Sequence, residues 1–187
     1  MTDTEAAEDE FDPEAWREQL ESHREEKDEF FAEHPQSPIP PEDREGFSGL
    51  EYFDPDPDYR VVASVEVHEN PGPVEMDVTA GAPQRYLRVA TLHFKLGEEY
   101  ELAAYSREDH EGLFVPFRDK TTGQQTDEHG RYMEFEVEGE LADTDEMVVD
   151  FNLAYSPFCA YSETFACPLP PEENWLDTEI LAGERTR

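Results

Sequence analysis

From Tyr59 onward, apolar side chains recur at every second position, in short runs that end at Gly, Pro, Asn or Asp. A period of two sends alternate side chains to opposite faces of an extended chain, so each run reads as a strand with one apolar face. Val61, Ala63, Val65 and Val67 form the first set. Val74, Met76, Val78 and Ala80 form the second, beyond the turn Asn70-Pro71-Gly72-Pro73. Arg88, Ala90, Leu92, Phe94 and Leu96 follow, and a tight turn near Gly97 leads into Tyr100, Leu102 and Ala104. Leu113, Val115 and Phe117, then Met133, Phe135 and Val137, then Met147, Val149, Phe151, Leu153 and Tyr155 complete the series. No long helical stretch lies between these runs to carry parallel crossovers, and clean alternation implies one wet face, so the strands should pair antiparallel. The expected fold is mainly β (α+β): an antiparallel β-sandwich or partly open barrel of about seven strands with an N-terminal helix.

That helix is read from its start signal. Asp12 offers a capping carboxylate and Pro13 stands at the first helical position. The segment PEAWREQLESHREEKDEFFAEH then continues to about His34, with Trp16, Leu20, Phe30 and Phe31 along one side. Residues 1–11 ahead of it are an acidic arm, expected to be disordered. Pro35, Pro38, Pro40 and Pro41 end the helix, and residues 35–59 read as an extended linker packed on the domain through Phe47, Leu50, Tyr52 and Phe53. The β domain occupies residues 60–187. Its last segment, from Pro157, is rich in proline and loop-like, with a short helix expected from Pro171 to Leu176.

Charge limits the possible partners. Asp and Glu total 48 against 14 Lys and Arg, a formal charge of −34. Three of the cations are lysines, Lys27, Lys95 and Lys120, and the rest are arginines. The acids run from Asp3 to Glu184, so they are not a single acidic tail. Such density opposes compaction in dilute buffer and is tolerated where salt screens it. The composition therefore points to work in concentrated salt. Without a basic stripe to release counterions, nucleic-acid binding is not expected. Apolar residues make up 36% of the chain, so a single modest core is expected. No run of about 18 apolar residues is present to cross a membrane. The start MTDTEAAEDEFDPE has neither the basic nor the apolar region of a signal peptide, which places the protein in the cytoplasm with Cys159 and Cys167 as thiols.

Familiar catalytic signatures are missing: there is no phosphate loop, no His-Glu-x-x-His and no Cys-x-x-Cys. Cys159 and Cys167 lack a paired histidine motif, so no metal and no cofactor is expected. Parity puts Arg131 on the face of Met133, Phe135 and Val137, and Arg88 on the face of Ala90, Leu92 and Phe94. A guanidinium turned toward a core needs a carboxylate or a ligand anion. Asp119, Asp150 and Glu184 are the candidate partners of Arg131. Asp150 and Asn152 suit either general-base chemistry or the bracing of a neighbouring loop.

The stretch Asp150-Phe151-Asn152 through Ala154-Tyr155, Pro157, Cys159 and Tyr161, then Cys167-Pro168-Leu169-Pro170-Pro171, Glu173-Asn174 and Ala182-Gly183-Glu184, resembles the family called domain of unknown function 1684. Phe117-Arg118-Asp119, Gly123, Thr126 and Gly130-Arg131-Tyr132 resemble its second motif, and Tyr52-Phe53 with Tyr59-Arg60-Val61 its opening segment. The resemblance spans roughly residues 14–184 and implies that the polar residues of the two motifs meet in space. The expected site is a polar pocket between the 118–132 loop and the 150–174 segment. Its residues would be Arg118, Asp119, Thr121, Arg131, Tyr132, Asp150, Asn152, Tyr155, Cys159, Tyr161, Cys167, Asn174 and Glu184. Such a pocket suits a small polar or anionic ligand, bound or transformed. The alternative is a structural or protein-interaction domain in which these residues only brace loops. Oligomeric state is not legible.

Overall fold

A computed structural model describes residues 11–107, 112–137, 140–162 and 164–186. The acidic arm lies outside them apart from Phe11. The chain forms two compact units, residues 1–49 and 50–187.

In the first unit the one α-helix among the described residues, α1 (Pro13–Glu33), begins as the sequence dictates. The Asp12 carboxylate accepts the Glu14 and Ala15 amides, and Pro13 needs no partner at its missing N–H. Leu20 and Phe31 are its buried residues, and the Phe31 ring lies 6.3 Å from that of Phe47. A single 3-10 turn spans Pro41–Gly46.

In the second unit a short ribbon pairs β1 (Glu51–Tyr52) with β9 (Glu184–Arg185). The main sheet has seven antiparallel strands: β2 (Arg60–Val67), β3 (Pro73–Met76), β4 (Gln84–Leu96), β5 (Glu98–Ser106), β6 (Leu113–Phe117), β7 (Arg131–Phe135) and β8 (Glu146–Asp150). Their order is β7-β6-β5-β4-β2-β8, with β3 also on β4. The path does not close from β8 to β7, so the sheet is a half-barrel, and the partly open barrel is the correct one of the two architectures expected. One face carries the main core, where Ala63, Leu92, Leu102, Val115, Met133, Val149 and Phe151 are fully or almost fully buried, as the alternation requires.

Five local readings need correction. The core is not single: Met76, Tyr86, Ala103 and Tyr105 form a second cluster with Val74 and Phe114 packed against it. Ala103, Tyr105 and Phe114 occupy the alternate phase of their strands, Tyr86 reaches this face because the register of β4 shifts beyond Arg88, and β3 turns its apolar phase, Val74 and Met76, to the same side, so the second sheet face is partly dry. Arg88 does not face the core. The β4–β5 register shifts between Arg88 and Ala90, and Val89 and Ala90 both enter the main core. This bulge places Arg88 opposite Tyr105, on the other face. The last strand stops at Asp150, because the Asp150 carboxylate takes the Asn152 amide and starts a 3-10 turn over Phe151–Leu153. Likewise β3 ends at Met76, Val78 meets Pro168 in an isolated bridge, and Glu172–Asn174 is one 3-10 turn instead of a helix to Leu176. That turn ends because the Leu176 N–H donates to the Arg118 carbonyl, at 2.7 Å.

Candidate functional site

Arg131 leads β7 and is 1% exposed. Its Nη2 lies 3.5 Å from Asp119 Oδ2 and donates to the Ile180 carbonyl at 3.0 Å. Its Nη1 donates to the carbonyls of Ala182 and Glu184, and the guanidinium sits 5.2 Å from the centre of the Phe117 ring. Asp119 is therefore the carboxylate that parity demanded. It also accepts the Ile180 amide at 2.6 Å and the Thr121 hydroxyl at 2.8 Å. Thr121 in turn meets Thr126 at 3.0 Å. Burial lowers the Arg131 pKa to about 10, against the opposing pull of the Asp119 and Glu184 charges. Two glycines make room for this arrangement. Gly130 (φ 92°) and Gly183 (φ 83°) have left-handed backbones, and a Cβ on either would come within 2.7 Å of a carbonyl oxygen, that of Phe117 or Ala154.

The two side-chain amides act as backbone mimics. Asn152 accepts the Asp56 N–H at 2.9 Å and donates to the Asp56 carbonyl at 2.8 Å, while Asp150 Oδ1 holds its Nδ2 at 2.8 Å. Asn174 is fully buried. It accepts the Ala103 N–H at 2.7 Å and donates to the carbonyls of Ala103 (3.0 Å) and Pro116 (2.7 Å), clamping the 172–174 turn onto β5 and β6. Glu184 is also buried and accepts the Tyr161 hydroxyl at 2.7 Å and the Ser156 N–H at 3.3 Å. Arg118 stacks on Trp175, 4.9 Å from the ring centre. Cys159 and Cys167 are free thiols, with the Cys159 N–H on Cys167 Sγ at 3.3 Å. Burial, followed by the hydrogen bond to Cys167, pushes the Cys159 thiol up to about 12. Among the described residues no group of three or more His, Cys, Asp or Glu is placed to hold a metal ion.

The predicted residues thus divide. Arg131, Asp119, Thr121 and Glu184 gather where β7 meets the C-terminal segment. Asp150 and Asn152 hold the Asp56 loop. Asn174 holds the sheet. Tyr132 and Tyr155 go elsewhere, to a cleft of about 600 Å³ on the second sheet face. The Tyr132 hydroxyl donates to the Pro168 carbonyl, its ring meets Phe114 at 4.9 Å and 72°, and Tyr155 stands at 89° to it at 5.8 Å. Tyr86, Tyr105, Arg107 and Glu134 also line it. Beside it, Tyr105 donates to Glu173, which accepts from Arg88 Nε at 3.0 Å. Sequence reasoning passed over Tyr86, Tyr105, Phe114, Arg107 and Glu134. The available signal was the alternate phase of β5 and β6, where Tyr105 and Phe114 stand at positions expected to be wet.

Burial is the first cause that raises the phenol pKa values of Tyr105, Tyr132, Tyr155 and Tyr161 above the ordinary value of 10.0. For a group whose folded pKa is raised, stability is fully present below the unfolded pKa and is lost as pH rises above it. Near-ultraviolet dichroism and tyrosinate absorbance, followed upward from pH about 9, should therefore show one cooperative alkaline unfolding step just above the unfolded phenol pKa of about 10. Tyrosines ionising gradually in a chain that stays folded would contradict this.

No curated protein sequence matches the chain. The solution NMR structure of an uncharacterized protein from Haloarcula marismortui is similar, with 60% identity over 92% of this chain and 95% of that one and a TM-score of 0.74. The family model described as "Protein of unknown function (DUF1684)" matches residues 45–185, beginning beyond α1 and spanning the whole half-barrel. The expected resemblance is therefore correct, and the chain belongs to the DUF1684 family.

Proposed function

We propose that the domain binds a small polar ligand in the cleft walled by Tyr86, Phe114, Tyr132 and Tyr155, and that it does so in the cytoplasm of a cell rich in salt. The observation that carries the reading is the cleft itself. Its volume of about 600 Å³ falls in the usual range for ligand sites, and its aromatic walls carry polar tips from tyrosines, Arg107 and Glu134. The pocket first expected, between the 118–132 loop and the 150–174 segment, loses its support because Arg131 is taken up by Asp119 and three carbonyls. The salt setting is supported by the charge of −34.

Thermal-shift screening of metabolites in molar potassium chloride tests the reading. A ligand at about 100 times its Kd adds about 2.7 kcal/mol, and that should raise Tm by roughly 5–10 °C in a domain of this size. The shift should disappear in Phe114→Ala. If no compound raises Tm, or the shifts survive Phe114→Ala, the cleft is not a ligand site. One observation favours the rival reading, a structural domain: Asn152, Asn174 and Arg131 all end on backbone groups of neighbouring loops or strands. A blank screen is the outcome that reading expects.

A further inference from the structure

We infer that the cleft is built for an organic cation, a quaternary or methylated ammonium group held against its aromatic rings. This rests on the reading of the cleft as a small-molecule site and names the ligand's class. The walls supply the first argument. Tyr86 and Phe114 stack at 5.6 Å and 24°, Tyr132 stands at 72° to Phe114 and Tyr155 at 89° to Tyr132, while the fully buried Tyr105 backs Tyr86 at 72°. Rings set at right angles present floor and walls at once. The π-faces of such rings attract a cation whose own charge is spread over methyl groups and only weakly hydrated. A small inorganic cation would have to give up firmly held water for the same contact.

The second argument is charge within the cleft. Among the described residues, Glu134 and Glu136 line it against one cation, Arg107, and the Tyr155 hydroxyl is hydrogen-bonded to Glu134. The neighbouring Arg88 is occupied by Glu173 at 3.0 Å. An anion entering here would face two carboxylates and one arginine, whereas a cation meets an excess of negative charge. The third argument is Arg107 itself, whose guanidinium lies 5.8 Å from the centre of the Tyr86 ring. The chain already lays a weakly hydrated planar cation on this surface, and a bound ammonium group would take that place. Protein-wide acidity adds to the bias, although in molar salt its reach falls to about 3 Å and the contacts themselves must discriminate.

The test is an NMR amide titration of the full chain in molar potassium chloride. The probes are tetramethylammonium, choline, the uncharged isostere of choline in which carbon replaces the quaternary nitrogen, and acetate. Choline and tetramethylammonium should shift amides of β4, β6 and β7 around the cleft, and choline should bind at least about fivefold tighter than its isostere, the factor that a cation–π contact of about 1 kcal/mol provides. Glu134→Gln and the conservative Phe114→Leu should each weaken choline severalfold while retaining a dispersed spectrum. Arg107→Ala should tighten it by freeing the Tyr86 face. Equal binding of choline and its isostere, preference for acetate, or no cleft shift with either cation would overturn the inference. The first two outcomes leave the cleft standing as a ligand site. The third, together with a blank metabolite screen, removes that reading as well.

Discussion

Lowering potassium chloride from molar to millimolar is expected to abolish the tertiary structure of this protein. If each of its 14 cations neutralised one acid, 48 − 14 = 34 acidic side chains would still be unbalanced. Two like charges 10 Å apart in water repel by about 0.4 kcal/mol. The screening length is about 10 Å at 0.1 M salt and about 3 Å at 1 M, so such repulsions return together on dilution. Tens of them sum to several kcal/mol, comparable with the roughly 5–15 kcal/mol that holds a typical domain folded. The apolar share of 36% leaves little reserve. Near-ultraviolet dichroism across a salt series should show cooperative loss, reversed when salt is restored. Retention of the full signal and an unchanged Tm in dilute buffer would rule out a salt requirement.

Replacing Arg131 by alanine should destabilise the fold by about 3–5 kcal/mol, the usual cost of leaving a buried charge without its partner. Asp119 would retain the Ile180 amide and the Thr121 hydroxyl but lose its cation, and the carbonyls of Ala182 and Glu184 would lose a donor. In a protein of this length that corresponds to a fall in Tm of roughly 6–20 °C. Denaturant titration at several molar salt concentrations checks it. Because the pair is buried, the loss should hardly vary with salt, in contrast to the response of the whole fold. The double variant Arg131→Met/Asp119→Leu should recover part of the loss, since no lone charge remains. An Arg131→Ala protein as stable as the parent would show that the pair contributes nothing and would return Arg131 to consideration as a ligand-binding group.

Much of the half-barrel was legible because parity is a strict code on a pleated strand. Leu102 and Ala104, Val115 and Phe117, and Met133 all fall on the core face as read. Arg131 was legible for the same reason, as a charge in an apolar phase beside Gly130. Arg88 was misread by the same logic. Two consecutive apolar residues, Val89 and Ala90, conceal a bulge, and a shift of one position exchanges the faces. The candidate site was less legible. A sequence shows that Asn152 and Asn174 are polar but not that backbone groups of a distant loop and of two distant strands satisfy them, because those partners belong to every residue alike. The aromatic cleft escaped notice because Tyr105 and Phe114 occupy the phase expected to face water, and because the same bulge carries Tyr86 to their face. That expectation fails where Pro168 and the turn at Glu172–Asn174 return to cover the sheet.

The partners of Arg131 also set an order of events during translation. Its strand is made early, whereas the carbonyls of Ile180, Ala182 and Glu184 come from residues made some 50 positions later. At roughly 5–20 residues per second the ribosome leaves this guanidinium without those acceptors for several seconds. The nascent chain can therefore complete this network only after the segment around Ala182 has emerged.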